Sequence, residues 1–168
     1  CLIQEQNIKN DQFSSWHKYF DETYLESKIV EYTHRLKVMD TVYREIVGHP
    51  DYLIQRLGDH IFVVAYVNSA SYKSEVGNVA VSLETWSDLS SVWSYSNFKG
   101  QTHHSLRSLD NKADAGAIAT LLGGGGHRNA SGWVGEGSVP LLPGDVLPWS
   151  KEIVQLLKMK DGETVPLV

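Results

Sequence analysis

Cysteine, long apolar runs and positive charge are all scarce in this sequence of 168 residues. The single cysteine, Cys1, excludes an intrachain disulfide framework and a zinc site built from cysteines. No apolar stretch reaches the ~18 residues that a membrane-spanning helix needs, so we expect no membrane partner. The formal net charge of −5 argues against a surface that is basic throughout, which a long duplex would require.

The two ends of the sequence give two further expectations. Residues 1–12 are polar and contain no hydrophobic signal core, so the sequence predicts a cytoplasmic protein. The chain does not begin with methionine, and Met39 and Met159 are its only two, so we expect a piece of a longer protein. An apolar fraction of 42% and a charged fraction of 21% are typical of folded globular domains.

A long helix is predicted near the start of the chain. Apolar residues recur at spacings of three and four from Leu25 to Ile46, which places them on one helical stripe. Gly48-His49-Pro50 is predicted to end this helix. The helix could pack on its own domain, connect to a domain outside this chain, or form the seam of a homodimer. We therefore divide the chain into a linker segment, 1–50, and a second domain, 51–168.

Beyond Pro50, predicted strands alternate with short helices. A continuous apolar run, Ile61–Val67, is typical of a strand buried on both faces. The other predicted elements are a helix over 75–83 capped by Ser74, a hairpin of strands 92–98 and 102–109, a helix over 115–122 capped by Asp114, and a strand over 130–134. The tail has turn-rich stretches, 140–148 and 161–162, around a segment, 151–160, that the pattern does not settle. This alternation predicts an α/β fold with a mixed β-sheet flanked by helices.

Four glycines, Gly123–Gly126, directly precede His127 and Arg128. Glycine adopts positive φ and lets the backbone approach a ligand, and successive N–H groups turned to one side form a nest for anions. His127 and Arg128 supply further donors to the same anion. The alternative is a tight turn after a helix with no ligand, and the Gly-Lys-Ser/Thr ending of a nucleotide P-loop is absent.

Arg107 is a second candidate, because on a strand it would share one face with Ser105 while Leu106 and Ser108 face the other. A solvated arginine on the sheet surface is the alternative. His103 and His104 are expected at the surface or in a loop, and as neighbours on a strand they would face opposite sides. They are therefore poorly placed to share a metal.

Charge is unevenly distributed along the chain. Residues 97–132 carry four cationic and two acidic side chains, so this segment has a charge of +2 while the remainder has −7. Such a local basic region suits a small phosphorylated ligand better than a long duplex.

The run Gly124–Gly132, GGGHRNASG, resembles the GGGHxxAAG signature of the DHHA1 domain, with Ser131 where the family usually has alanine. The resemblance extends from about Phe62 to Val134, because upstream segments agree in order and spacing. Those segments are 74–78, 92–95, 105–108, and Asp114 with Ile118-Ala119. The DHHA1 domain is the C-terminal, substrate-binding half of DHH-family phosphoesterases, which include nanoRNases, pAp phosphatases, the RecJ exonuclease and cyclic-dinucleotide phosphodiesterases.

The resemblance implies a metal-dependent hydrolase for short oligonucleotides, nucleotides or other small phosphorylated substrates. In the family, an N-terminal DHH domain holds two divalent metals, usually manganese, and this sequence contains no Asp-His-His. We therefore expect the DHH domain and its metals to lie outside this chain. The chain alone would be inactive and would hold no catalytic residue, cofactor or metal. The residues implied to bind substrate phosphate are Arg107, Ser108, Gly124, Gly125, Gly126, His127, Arg128 and Asn129.

Two other functions stay open at this point. A related domain accompanies alanyl-tRNA synthetases, so the chain could be a non-catalytic module that binds single-stranded nucleic acid. Five aromatic residues could stack on bases or lie in the core, namely Trp86, Trp93, Tyr95, Phe98 and Trp133. The other alternative involves no ligand: the long helix forms a dimer, and the glycine loop no longer binds anything.

Overall fold

The structure is a computed structural model that describes residues 21–150 together with 152, 153 and 155. The polar start, the predicted turn at 161–162 and most of the segment 151–160 lie outside the described residues. The chain divides into two compact units, Cys1–Val42 and Tyr43–Val168. The division lies a few residues before the boundary that we drew at residue 50, because Val47 is buried among residues of the second unit.

The first helix, α1, runs from Glu22 to Val47. It ends where the sequence predicts, since Gly48 has a φ of 52° and donates its N–H to the Arg44 carbonyl at 2.9 Å. Two residues of the apolar stripe, Ile29 and Leu36, are exposed. Homodimer formation through this stripe stays a prediction. No helix among the described residues is long and apolar enough to cross a membrane.

Seven strands form one mixed sheet in the order β5-β6-β4-β3-β2-β1-β7. Their bounds are β1 Asp51–Leu57, β2 His60–Asn68, β3 Leu89–Ser96, β4 Gln101–Arg107, β5 Gly125–His127, β6 Ala130–Glu136 and β7 Asp145–Leu147. Strands β2 and β3 are parallel and every other neighbouring pair is antiparallel. Helix α2, Lys73–Leu83, connects the parallel pair, and helix α3, Ala115–Leu121, precedes β5. The predicted fold class is confirmed.

The two faces of the sheet are covered by different helices because side chains alternate along each strand. On β2, Ala65 and Val67 pack with Val76 and Ala80 of α2. The intervening residues of β2 pack on the opposite face with α3, in a cluster that includes Val64, Leu106 and Ile118. The run of apolar residues in β2 is therefore buried on both faces, as predicted.

Several local predictions need correction. Helix α2 begins at Lys73, its N-cap is Tyr72 with a φ of 51°, and no side chain caps it, so the prediction that Ser74 is the cap is wrong. The hairpin of β3 and β4 is present, although β3 begins at Leu89 and ends at Ser96. Asp114 caps α3 as predicted by accepting the N–H of Ala117 at 2.9 Å. Strands β1, β5 and β7 were not predicted.

Candidate functional site

A shallow depression of 320 Å³ lies on the sheet across β4, β6 and β5. It is lined by His104, Ser105, Arg107, Gly125, Gly126, Ala130, Ser131 and Gly132. Arg107 and the glycine run are distant in sequence, yet the sheet brings them together. Of the predicted phosphate-binding residues, Arg107, Gly125 and Gly126 therefore share one surface.

The strand register explains why these residues meet. Ser105 pairs with Gly132, which pairs with Gly125, and Arg107 pairs with Ala130, which pairs with His127. Two rows of paired residues therefore run across β4, β6 and β5 on one face of the sheet. The row through Ala130 has Arg107 at one end and His127 at the other. Neighbouring strands lie about 4.8 Å apart, so roughly 10 Å separates the backbones of these two residues. His127 belongs to this row but is not among the residues that line the depression.

Arg107 is positioned by the first turns of α2. Its Nη2 donates to the Ser74 hydroxyl at 2.6 Å, and its Nη1 donates to the Leu106 carbonyl at 2.7 Å. Gly77 leaves room for its aliphatic stem, because a Cβ there would lie 2.8 Å from Arg107 Cγ. Burial lowers the pKa of the Arg107 guanidinium, and the nearby Glu75 carboxylate opposes that shift. Ser74 therefore positions Arg107, whereas the sequence predicted it to be the N-cap of the helix.

The glycine run does not present all of its N–H groups to a ligand. Gly123 and Gly124 donate to the Thr120 and Ala119 carbonyls at 3.0 and 2.7 Å, which ends α3. Gly125, Gly126 and His127 form β5, the outer strand of the sheet that the structure describes. Alternate N–H groups of an outer antiparallel strand point away from its partner. Within the glycine run that we predicted to bind an anion, the N–H groups that point away from a partner strand therefore belong to β5.

The glycines of β5 differ in why they must be small. Gly126 has a φ of 143°, and a Cβ there would lie 2.5 Å from Ser131 Cα and 2.6 Å from the Ala130 carbonyl oxygen. A Cβ on Gly125 would meet nothing within 4 Å, and its φ is not positive. The fold therefore requires glycine at Gly126, whereas at Gly125 it leaves open space beside the depression.

Ser108, Arg128 and Asn129 bond to the protein itself. Arg128 donates to the Asp110 and Lys112 carbonyls at 2.9 and 3.1 Å and pairs with Asp114 at 3.3 Å. The Asn129 amide donates to the Asp110 carboxylate, and the Ser108 hydroxyl donates to the Arg128 carbonyl at 3.2 Å. These contacts fasten the turn between β5 and β6 to the loop before α3. Phosphate binding by these three residues stays a prediction.

Ser131 lies where the DHHA1 signature that this run resembles has alanine. Its side chain is buried, and its hydroxyl donates to the Ala115 carbonyl at 2.7 Å. The extra oxygen therefore has a partner at the first residue of α3. Serine replaces alanine here without leaving an unsatisfied buried hydroxyl.

His103 and His104 lie on β4 and face opposite sides of the sheet, as expected for neighbours on a strand. The expectation that both lie at the surface or in a loop is wrong for His104, which is buried. Its Nδ1 lies 3.0 Å from the Ser91 hydroxyl, and its ring lies 4.8 Å from the Trp133 ring. Burial lowers the pKa of His104 to about 4, and the positive charge of Lys73 acts in the same direction, whereas a hydrogen bond with the Val139 backbone opposes the shift. The neutral form of His104 is therefore part of the packed protein.

We expect stability to fall as the pH is lowered from about 6.5 to about 4. In that interval the unfolded chain binds a proton at His104 and the folded protein does not, so the free energy of unfolding decreases by up to about 3 kcal/mol. Denaturant unfolding across this pH range measures the loss. The variant His104→Gln keeps a hydrogen-bonding group but does not titrate, so it should lack this component. An unchanged pH profile in that variant would contradict the assignment.

The aromatic residues considered for base stacking separate into two groups. Trp93 and Trp133 pack against the core beneath α3, and the Trp86 ring lies 4.6 Å from the Tyr52 ring. Phe98 is 98% exposed at the turn between β3 and β4, and Tyr95 is 40% exposed on β3. Stacking of bases on Phe98 and Tyr95 stays a prediction.

Among the residues that the structure describes, no group of three His, Cys, Asp or Glu side chains is placed to hold a metal ion. The described side chains therefore do not fit a two-metal centre, and we derive no metal-dependent step for them. Location of the manganese ions in another domain stays a prediction.

Comparison with known proteins gives few relatives. No family model matches the chain. An uncharacterized protein of Acanthamoeba polyphaga mimivirus is 34% identical over 131 residues, which cover 78% of this chain and 31% of that protein. This chain therefore spans less than a third of the relative's length. The crystal structure of an uncharacterized protein from Helicobacter pylori G27 is 22% identical, with a TM-score of 0.36 over 55% of this chain and 24% of that one.

Proposed function

We propose that this chain is the substrate-binding part of a metal-dependent phosphoesterase of the DHH type. Its substrates would be short oligonucleotides or small nucleotides of the cytoplasm. One observation supports the proposal above the others: Arg107 and the open side of Gly125 border the same depression. The resemblance to the DHHA1 domain implies a substrate-binding role for both residues, although they are 18 positions apart in the sequence.

The chemistry of the depression suits a phosphoryl group. Arg107 offers planar N–H donors with a permanent charge, which match phosphate oxygens. The floor of Ser105, Ala130 and Gly132 is formed by small residues, so an anion can approach the backbone of β5 closely. His127 is exposed at the far end of the row and would donate from the other side.

In this proposal the chain binds and orients the substrate, and another domain activates water. Arg107 and β5 hold one phosphoryl group so that its ester bond faces the partner domain. Fixing the substrate in this way lowers the barrier by removing translational and rotational freedom before the reaction. Manganese ions in the partner domain would supply the attacking hydroxide.

Hydrolysis by the full-length protein tests the proposal. With manganese, we expect the release of mononucleotide from a dinucleotide or of inorganic phosphate from a nucleoside 3′,5′-bisphosphate. A variant with His127→Ala should show a lower kcat or a higher KM while it unfolds at the same denaturant concentration. Val134→Ala is a matched control, because Val134 is an exposed residue of the neighbouring strand. Absence of hydrolysis of these and related phosphate esters would contradict the proposed function.

A further inference from the structure

The Ser74 hydroxyl is a neutral partner of a cationic side chain. It accepts a hydrogen bond from Nη2 of Arg107 at 2.6 Å. Among the described residues, no carboxylate lies within ion-pair distance of Arg107, and the nearby Glu75 is exposed. The half-buried guanidinium therefore loses part of its hydration without gaining a counter-charge from the protein. An anionic group attached to Ser74 would lie directly against this charge.

Ser74 is accessible to an enzyme that modifies side chains. It is exposed, and the preceding residues 70–72 are exposed and belong to no helix or strand. Connecting segments of this kind lie at the surface, where another protein can bind them. Ser82, an exposed serine in the last turn of the same helix, instead donates its hydroxyl to the Asn78 carbonyl at 2.7 Å. Ser74 therefore combines access with a contact to a cation, whereas Ser82 has access alone.

A phosphoryl group suits the surroundings of Ser74. A phosphoserine carries about −1.5 to −2 charges at neutral pH and three acceptor oxygens. These oxygens would lie one bond beyond the phosphorus on Oγ, which is already within hydrogen-bond distance of the guanidinium, and arginine frequently binds phosphate through two donors. Nη1 of Arg107 also donates to the Leu106 carbonyl at 2.7 Å, which holds the guanidinium in place. Negative charge in the first turn of a helix is favourable, so α2 can accommodate the group.

We propose that Ser74 is a phosphorylation site and that its phosphate blocks the depression by pairing with Arg107. The inference rests on the proposed function, because it treats Arg107 as the contact for substrate phosphate. A protein kinase would transfer the group from a nucleoside triphosphate. The bond between the γ-phosphorus and the β–γ bridging oxygen breaks, a bond from phosphorus to Ser74 Oγ forms, and the hydroxyl proton passes to a base of the kinase.

The effect on the depression is electrostatic. Of the described residues that line it, Arg107 is the one with a permanent positive charge. Pairing with phosphorylated Ser74 cancels that charge and leaves an excess of negative charge beside the depression, which repels an incoming anion. Phosphorylation and substrate therefore compete for the same guanidinium.

Two chains that carry one phosphate each test the inference. One is phosphorylated only at Ser74 and the other only at Ser138, both by genetic encoding of phosphoserine. Ser138 is the matched control, because it is exposed and lies beyond Glu136, whose strand partner Gln101 is six residues from Arg107 on β4. That separation of roughly 20 Å exceeds the distance over which charges act at physiological ionic strength.

We expect phosphorylation of Ser74 to weaken the binding of a nucleoside 5′-monophosphate by about tenfold or more, and phosphorylation of Ser138 to leave it unchanged. A readout without ligand reports the contact itself. The Nε–H signal of Arg107 should shift when Ser74 is phosphorylated, and the ³¹P signal should differ from that of phosphorylated Ser138. Arg107→Gln should return the ³¹P signal of phosphorylated Ser74 to the value of the control.

The outcomes separate the two proposals. If the unmodified chain binds the monophosphate but phosphorylated Ser74 leaves the affinity or the Arg107 signal unchanged, or unfolds the chain, the inference is wrong and the proposed function stands. If the unmodified chain does not bind the monophosphate at millimolar concentration, the phosphate site fails, and its regulation fails with it.

Use of the site in the cell is tested by mass spectrometry of the protein isolated, with phosphatases inhibited, from the cells that make it. We expect the peptide that contains Ser74 to be found partly in its phosphorylated form. Detection of that peptide in the unmodified form alone would overturn the inference.

Discussion

Replacement of Gly126 by alanine is expected to lower the free energy of unfolding by about 3 kcal/mol. The new Cβ would lie 2.5 Å from Ser131 Cα and 2.6 Å from the Ala130 carbonyl oxygen, and the φ of 143° is strained for any residue with a side chain. Backbone atoms of β6 would have to move, because no flexible side-chain end is available to yield. For a chain of this length the change corresponds to a decrease of roughly 6–12 °C in Tm.

Gly125→Ala is the matched control, since it adds the same methyl group one residue earlier. Its Cβ meets nothing within 4 Å and its φ is not positive, so the free energy of unfolding should change by less than about 0.5 kcal/mol. Thermal unfolding of both variants measures the contrast. Equal destabilisation by the two substitutions would show that β5 does not pair with β6 as it does in the structure.

Arg107→Gln is expected to weaken the binding of a nucleoside monophosphate by a factor of about 10 to 100. A hydrogen bond to a charged group contributes about 1.5–3 kcal/mol, and 1.4 kcal/mol corresponds to a factor of ten in affinity. Glutamine ends two bonds short of the guanidinium Nη atoms and loses the hydrogen bonds to Ser74 and to the Leu106 carbonyl, so the free energy of unfolding should fall by about 1–2 kcal/mol. Isothermal titration calorimetry measures the affinity and denaturant unfolding measures the stability.

Arg56→Gln removes the same charge from an exposed position on β1, at the opposite end of the sheet. It should leave the affinity unchanged, because at physiological ionic strength a charge far beyond about 8 Å is largely screened. If the two variants bound ligand equally weakly, the effect would be one of overall charge and not of a contact. If Arg107→Gln bound with unchanged affinity, Arg107 would not be a phosphate contact.

The sequence predicted the elements whose signals are local. The apolar run of β2, the Asp114 cap and the Gly48 end of α1 each depend on a few neighbouring residues. It did not predict β1 or β5. Strand β1, DYLIQRL, begins with Asp51 and its apolar residues are interrupted by Gln55 and Arg56. Strand β5, GGH, has little intrinsic strand propensity and forms because β6 supplies its partner.

The same division applies to the candidate site. The resemblance puts Arg107, Gly125 and Gly126 in one expected binding set, but the strand order that brings them to one surface was not predicted, because neither β5 nor the pairing of β6 with β4 has a local signal. The hydrogen bonds of Arg128 and Asn129 go to atoms of the loop before α3, and no sequence pattern specifies that loop's position. The contact of Ser74 with Arg107 was missed because it depends on how α2, which connects β2 and β3, lies against β4.

The most direct test of the account is a nuclear magnetic resonance titration of the labelled chain with a nucleoside 5′-monophosphate. The central claim is that the depression between Arg107 and β5 binds a phosphoryl group. It predicts saturable shifts that are largest for the amide protons of Gly125 and Gly126 and for the Nε–H of Arg107. Saturable binding that leaves these three signals unchanged, or no change in any signal at millimolar nucleotide, would contradict it.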